Sequence, residues 1–313
     1  MRLYRHTADL AAEERGAVVA LGNFDGVHRG HQTVIGTAQR LAGDFGAPSA
    51  VLTFEPHPRS VFRPDDPPFR LTPFRVKARH VEALGVDQLI VCHFDDGLLH
   101  KTAQAFVEEV LVAGLGVRHV VCGYDFLFGH KRGGNPAFLA EAGRRHGFGV
   151  TEIGPVSDPG GGVYSSTRAR DALTAGRPRE AAHVLGSPWE IEGRVMHGDK
   201  RGRTIGFPTA NLELDAYLRP AFGVYAVRAG VDRGPATLWH KGVANLGARP
   251  TVGGSVERLE VHLFDMSEDL YGQHLRVQLI EFLRPEQKFA SFDALKDQIR
   301  RDADAARAAL ADA

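Results

Sequence analysis

Between residues 17 and 153, short apolar runs alternate with helical patterns, and this alternation limits what the chain can fold into more than any other feature. The candidate strands are Ala17–Leu21, Ser49–Phe54, Gln88–Phe94, His119–Cys122 and Gly149–Ile153. Between them lie candidate helices at His31–Leu41, Pro73–Leu84, Ala103–Ala113 and Pro136–His146. Strands joined through helices run parallel with right-handed crossovers, and helices cover both faces of the sheet. Ligands of such sheets bind at the carboxyl ends of the strands. Thr72, just before Pro73, is expected to cap the second of these helices.

The pattern changes near residue 186. Two short helices, Thr167–Ala175 and Pro178–Leu185, precede the linker Gly186-Ser187-Pro188. The runs Trp189–Met196, Val224–Ala229, Thr237–Ala244, Arg258–Phe264 and Gln273–Phe282 then follow without helices between them, which predicts an antiparallel barrel or sandwich. A final helix opens at Ser291 and reaches Leu310. With 313 residues the chain is long enough for two cores, expected at 1–186 and 187–313. Lys+Arg and Asp+Glu are both 38, so charge calls for neither a nucleic-acid nor an anionic-membrane partner. No apolar stretch is long enough for a membrane span, and Met1–His6 has no apolar signal core. Cys92 and Cys122 lie in apolar runs and would pair only if their strands were neighbours; they are expected as buried thiols in a reducing cytoplasm.

Directly after the first strand comes Gly22-Asn23-Phe24-Asp25-Gly26-Val27-His28-Arg29-Gly30-His31-Gln32. Glycines admit an anion close to the backbone, and a helix N-terminus offers free N–H donors. His28 and His31, three apart on a forming turn, can face one way. Two ligands do not fill a tetrahedral metal site, so the pair points to phosphate. The chain has no G-x-x-x-x-G-K-[ST] and no intact G-x-G-x-x-G after this strand. Three further strings follow strands or open a helix: Phe54-Glu55-Pro56-His57-Pro58, Gly123-Tyr124-Asp125-Phe126-Leu127-Phe128-Gly129 and Ser165-Ser166-Thr167-Arg168. Taken singly they read as turn prolines, core phenylalanines and a plain cap. Downstream, Gly193 to Asn211 is a strand followed by a glycine-rich basic loop, and in Arg258–Phe264 Leu259, Val261 and Leu263 share one strand face while Glu260 and His262 take the other.

In this order the strings resemble the bacterial bifunctional riboflavin kinase/FMN adenylyltransferase (FAD synthetase) family over nearly the whole chain. The resemblance implies a Rossmann-like nucleotidyltransferase domain followed by a mainly antiparallel β-barrel with a terminal helix. It implies a cytoplasmic enzyme that uses ATP, Mg²⁺, riboflavin and FMN, and it implies no oligomeric state. In the first domain, His28 and His31 would serve the ATP phosphates, and Arg168 the leaving pyrophosphate or the transition state. Gly22, Asn23, Phe24, Asp25, Gly30, Ser166 and Thr167 would complete the phosphate site. Phe54, Pro56, His57, Pro58, Asp125 and Phe128 would frame the flavin. In the second domain, Gly198, Gly202, Arg203, Gly206, Phe207 and Pro208 would hold ATP, and Thr209 and Asn211 would ligate Mg²⁺. Asn245 and Arg249 would frame the flavin there, with Glu260 as general base.

Overall fold

The computed structural model describes residues 1–196, 207–251, 254–266 and 268–311. It divides into two compact units: Met1–Pro67 with Thr72–Ser165, and Pro68–Leu71 with Ser166–Ala313.

The first unit holds β1 (Arg2–Tyr4), β2 (Val18–Leu21), β3 (Ser49–Glu55), β4 (Gln88–His93), β5 (His119–Gly123) and β6 (Gly149–Ile153). All pairs are parallel, in the order β1-β4-β3-β2-β5-β6. β2 is buried along its length, and its alternate residues feed two different cores. Val18 and Ala20 join Val34, Ile35, Ala38 and Ala42 of α1 (Arg29–Phe45) and Val81 of α2 (Phe74–Ala83). Val19 and Leu21 join Phe106, Val107, Leu111 and, from α3 (Pro136–His146), Leu139 and Ala142. The chain therefore leaves β2 toward β3 and β4 on one side, whereas β5 and β6 lie on the other. That reversal makes a topological switch point between the carboxyl ends of β2 and β5.

Three local features differ from expectation. The helix at Ala103–Ala113 is α-helical only over Ala103–Ala105 and continues as a π-helix over Phe106–Gly114. β1 is an edge strand of three residues, too short to show as an apolar run. Thr72 does not cap α2, whose N-cap is Pro73; its hydroxyl is held instead by the Asp25–Gly26 loop. The two cysteines are free, and β4 and β5 are separated by β3 and β2. Burial pushes both thiols up to about 12, so neither forms thiolate readily.

The second unit holds α4 (Ser166–Thr174), α5 (Pro178–Leu185), β7 (Glu190–Arg194), β8 (Ala210–Glu213), β9 (Gly223–Val231), β10 (His240–Thr251), β11 (Gly254–Leu263), β12 (His274–Pro285) and α6 (Phe292–Ala309). Its strands pair antiparallel in the order β7-β12-β9-β10-β11-β8. Met196, beyond the end of β7, bridges to Asn211 of β8, so the two edges of the sheet meet. The architecture is a nearly closed barrel rather than a sandwich. Leu212, Tyr225, Val227, Leu246, Leu259 and Leu279 are fully buried. Ala303, Ala306 and Leu310, on and just past α6, pack on Val224, Ala226 and Val243. β10 starts at His240 rather than Thr237, because the Thr237 hydroxyl is engaged in a turn with Arg233 and Gly234. Pro68–Leu71 is tied to this unit: the Trp189 indole donates to the Leu71 carbonyl at 2.8 Å and the Arg170 guanidinium to the Phe69 carbonyl at 2.9 Å.

Candidate active sites

The first site grows from the end of β2. The Gly22 N–H donates to Leu52 O at 3.2 Å, which carries the chain out alongside β3. Phe24 and Val27 then take left-handed φ values of 51° and 40°, a backbone state that costs side-chain-bearing residues about 1–3 kcal/mol. The loop is held there from within. Buried Asp25 accepts from the Thr72 N–H at 3.0 Å, and the Thr72 hydroxyl accepts from the Gly26 N–H at 2.8 Å. His28 is the N-cap of α1, its Nδ1 accepting from the His31 N–H at 3.3 Å. A neutral His28 so engaged carries its proton on Nε2, as a hydrogen-bond donor. The two imidazoles stack with centroids 3.6 Å apart, and Phe24 meets His31 edge-on at 5.1 Å. Gly30 is required by close approach: a Cβ there would lie 3.1 Å from the His28 ring and 3.2 Å from the Tyr164 carbonyl.

The other strings of this unit reach the same sheet edge. Phe54 is near the end of β3, and His57 caps a short helix at Pro58–Phe62, its Nδ1 accepting from the Arg59 N–H at 3.1 Å. Pro56 and Pro58 flank His57 in that turn. Asp125 is exposed just past β5, whereas Phe128 turns inward. Phe54 and Phe128 are each 6% exposed and are linked through Phe106, with centroids 6.1 and 5.3 Å apart. Their rings therefore build the wall beneath these loops. Ser166, Thr167 and Arg168 open α4 in the second unit, where Arg168 Nε stands 3.7 Å from Glu180.

Sequence reasoning missed Lys77. Its ammonium is fully buried and reaches Asn23 O at 3.1 Å, Thr53 Oγ1 at 3.0 Å and Glu55 Oε1 at 2.8 Å. It thus ties the loop after β2 to the end of β3. The signal was a lysine in the apolar stripe of α2, beside Val76 and four residues before Val81. Lys77→Met removes a fully buried cation from its ion pair with Glu55 and from its bonds to Asn23 O and Thr53 Oγ1, and is expected to cost about 3–5 kcal/mol. Denaturant unfolding measures this, and a loss below about 1 kcal/mol, typical of surface pairs, would show that Lys77 is not a structural tie.

The second site is laid out by strand register. Asn211 of β8 and Asn245 of β10 both stand directly opposite Glu260 of β11. Residues opposite one another in an antiparallel ladder share a face, so the three side chains lie in one row. His262 shares that face, while Leu259, Val261 and Leu263 are buried on the other. The Asn211 amide donates to Thr209 O at 3.4 Å. Pro208, Thr209, Val261, Leu270 and Tyr271 line a cleft with Glu268 and Asp269. His262 Nδ1 is 2.8 Å from Pro208 O, and Phe207 meets its ring edge-on at 5.0 Å. Gly198, Gly202, Arg203 and Gly206 lie outside the described residues. Arg249 is on β10, and its side chain is likewise outside them.

The Thr209 hydroxyl and the Asn211 amide carbonyl are hard oxygen donors, a pair that suits Mg²⁺, which keeps waters and phosphate oxygens in its shell. A separate carboxylate–imidazole group, Glu192, Asp232 and His274, already has a cation beside it, the Arg276 guanidinium 3.9 Å from Asp232.

Burial holds the imidazoles of His119 and His262 below their usual range. The unfolded chain then takes up protons first. Their contribution to stability is complete above about pH 6.5 and declines as pH falls through that value toward the folded pKa. Thermal unfolding is therefore expected at a lower temperature at pH 5.5 than at pH 7.5. The difference should shrink in His119→Gln, which removes one titrating ring, and an unchanged difference would take His119 out of the account.

A switch-point loop with paired histidines in one unit and a polar row on a barrel in the other define a two-part, nucleotide-dependent transferase. Residues 10–168 match the FAD synthetase family model and residues 185–310 the riboflavin kinase model. The chain belongs to the bifunctional riboflavin kinase/FMN adenylyltransferase family. It is 44% identical over 304 residues to the Escherichia coli K12 protein of that description, covering 96% of each chain. It is 44% identical over 312 residues to the Pseudomonas fluorescens one, covering 99% of this chain and 98% of that one. Among solved structures, one described as a macrolide-efflux protein from Streptococcus pneumoniae superposes with a TM-score of 0.85 at 32% identity, over 97% of this chain and 98% of that one. Among the described residues no helix of this chain is long and apolar enough to cross a membrane.

Proposed function

We propose that this chain phosphorylates riboflavin to FMN and then adenylates FMN to FAD, with ATP as donor in both steps. The adenylyltransferase domain is assigned to residues 1–186 and the kinase domain to 187–313. The observation that carries the reading is the row Asn211–Glu260–Asn245, a carboxylate between two amides beside Thr209, in a chain that also has the His28–His31 loop.

The two steps need different residues. The ribityl hydroxyl that attacks the γ-phosphorus of ATP is neutral and a weak nucleophile. Glu260 takes its proton, while Thr209 and Asn211 would hold a Mg²⁺ ion, which would supply positive charge at the phosphates. Phe207 and Pro208 flank the nucleotide, with Gly198, Gly202, Arg203 and Gly206 assigned to its phosphates, and Asn245 and Arg249 to the flavin. In the second step the nucleophile is the FMN phosphate, largely a dianion at pH 7, and no base is required. What must be overcome is repulsion between anions. The Nε2–H of His28 and the ring of His31, both at the start of α1, stabilise the oxygens of the attacked α-phosphorus. Gly22, Asn23, Phe24, Asp25 and Gly30 shape that loop. Arg168, with Ser166 and Thr167, is assigned to the leaving pyrophosphate, and Pro56, His57, Pro58 and Asp125 to the flavin over the Phe54–Phe128 wall.

The test is direct. The protein is incubated with riboflavin, ATP and Mg²⁺, and the flavins are resolved by chromatography. FMN should appear first and FAD follow. Riboflavin left unphosphorylated, with supplied FMN left unadenylated, would overturn the assignment.

A further inference from the structure

We infer that His262 is a positioning residue of the kinase site, holding the Pro208–Thr209 segment in place through its bond to the Pro208 carbonyl. The inference rests on the assignment of Thr209 as a Mg²⁺ ligand.

The β8–β11 ladder pairs Asn211 with Glu260 and Ala210 with Val261, and it stops there. One step further, Thr209 would stand opposite His262. Beyond it, Pro208 has no N–H with which to carry the ladder on. Thr209, the residue whose hydroxyl must meet the metal, thus sits one residue past the last backbone tie. His262 supplies the missing tie from a side chain. A carbonyl only accepts, so the 2.8 Å contact places a proton on Nδ1. The ring is itself held edge-on by Phe207 at 5.0 Å and by Phe264 at 5.8 Å. Phe264 in turn lies under the Arg307 guanidinium of α6, at 4.1 Å. The imidazole therefore has a defined orientation, and it stands two residues from Glu260 on the same strand face. One bond links the strand that carries the base to the segment that carries the metal ligand.

The test uses the full chain and isosteres of the two ring nitrogens. His262→Asn places an amide N–H near the position of Nδ1, and His262→Gln places it near Nε2, out of reach of Pro208 O. His262→Phe keeps the ring and loses the bond. His262→Gln and His262→Phe are expected to lower kcat for riboflavin phosphorylation by up to about 10²-fold, the scale of a misplacement of about 1 Å, and to raise the Mg²⁺ concentration for half-activity with KM for riboflavin unchanged. His262→Asn should stay within about threefold of wild type on the same scale. FAD formation from supplied FMN should be unchanged in all three. If one of the two disabling variants fails to fold, the other gives the comparison with His262→Asn. Equal activity in His262→Asn and His262→Gln would overturn the proposal. Thr209→Ala separates it from the reading beneath it. An unaltered Mg²⁺ requirement in Thr209→Ala removes Thr209 as ligand, whatever His262 does. If Thr209→Ala does raise that requirement, adding His262→Gln should cost little more, because both act through one contact. A fully additive loss would mean that His262 does not work through Thr209.

Discussion

Glu260→Gln is expected to lower FMN formation from riboflavin by about 10²–10⁴-fold, the usual worth of a positioned general base. FAD formation from supplied FMN should continue at the wild-type rate. The substitution keeps the size of the side chain and the β11 ladder, so the barrel has no reason to unfold. What it removes is the ability to accept a proton. Glutamine can still hydrogen-bond between Asn211 and Asn245, which face position 260 from both sides. Riboflavin would therefore still bind, and the loss should fall on kcat rather than on KM. A variant that phosphorylates riboflavin at the wild-type rate would remove Glu260 as the base. A variant that loses both activities would show that the substitution damaged more than the proton transfer.

His31→Ala should do the converse. Adenylylation of FMN is expected to fall by about 10²–10³-fold, the scale set by removing one preorganised donor from a developing charge. Riboflavin phosphorylation should persist, so FMN accumulates in place of FAD. Alanine is an excellent helix former, and the His31 N–H that donates to His28 Nδ1 belongs to the backbone, so α1 and its cap survive. The loss includes a second effect. His28 and His31 stack at 3.6 Å, and without its neighbour the His28 ring has less to keep it in place. His31→Gln, which restores a donor but not a stacking ring, divides the two contributions. If FAD synthesis is intact in His31→Ala, the phosphate role of the histidine pair is wrong.

The features that could be read in advance were periodic or chemically unusual. Alternating strands and helices in the first half announced a parallel sheet, and a period of two in Arg258–Phe264 placed Glu260 and His262 opposite Leu259, Val261 and Leu263. The strings at the ends of β2, β3 and β5 stood out because glycine, histidine and proline are concentrated where strands end. Other features left no such trace. Barrel and sandwich share the same strand period, and it is the meeting of the sheet's two edges, seen in the Met196–Asn211 bridge, that distinguishes them. β8 has four residues and was hidden inside a loop-like string. Thr72 looks like a cap, yet its hydroxyl goes to a loop more than 40 residues earlier in the chain. Lys77 does stand in the apolar stripe of α2, but nothing in that stripe tells that its ammonium reaches Asn23 O, Thr53 Oγ1 and Glu55.

By itself, the sequence determined the parallel sheet of the first half, the all-β character of the second and the family, and it named the candidate residues for proton transfer and phosphate binding. These depend on local pattern and residue chemistry, and both are written in order along the chain. Only the tertiary structure decided which of those residues stand together. It brought Asn245 and Asn211 to either side of Glu260, set Lys77 beneath the β2 loop, and gave Pro208 a partner in His262. The physical reason is that a buried charge or an unfinished ladder must be satisfied by whatever group the fold brings within about 3 Å. Distance along the chain does not report that proximity.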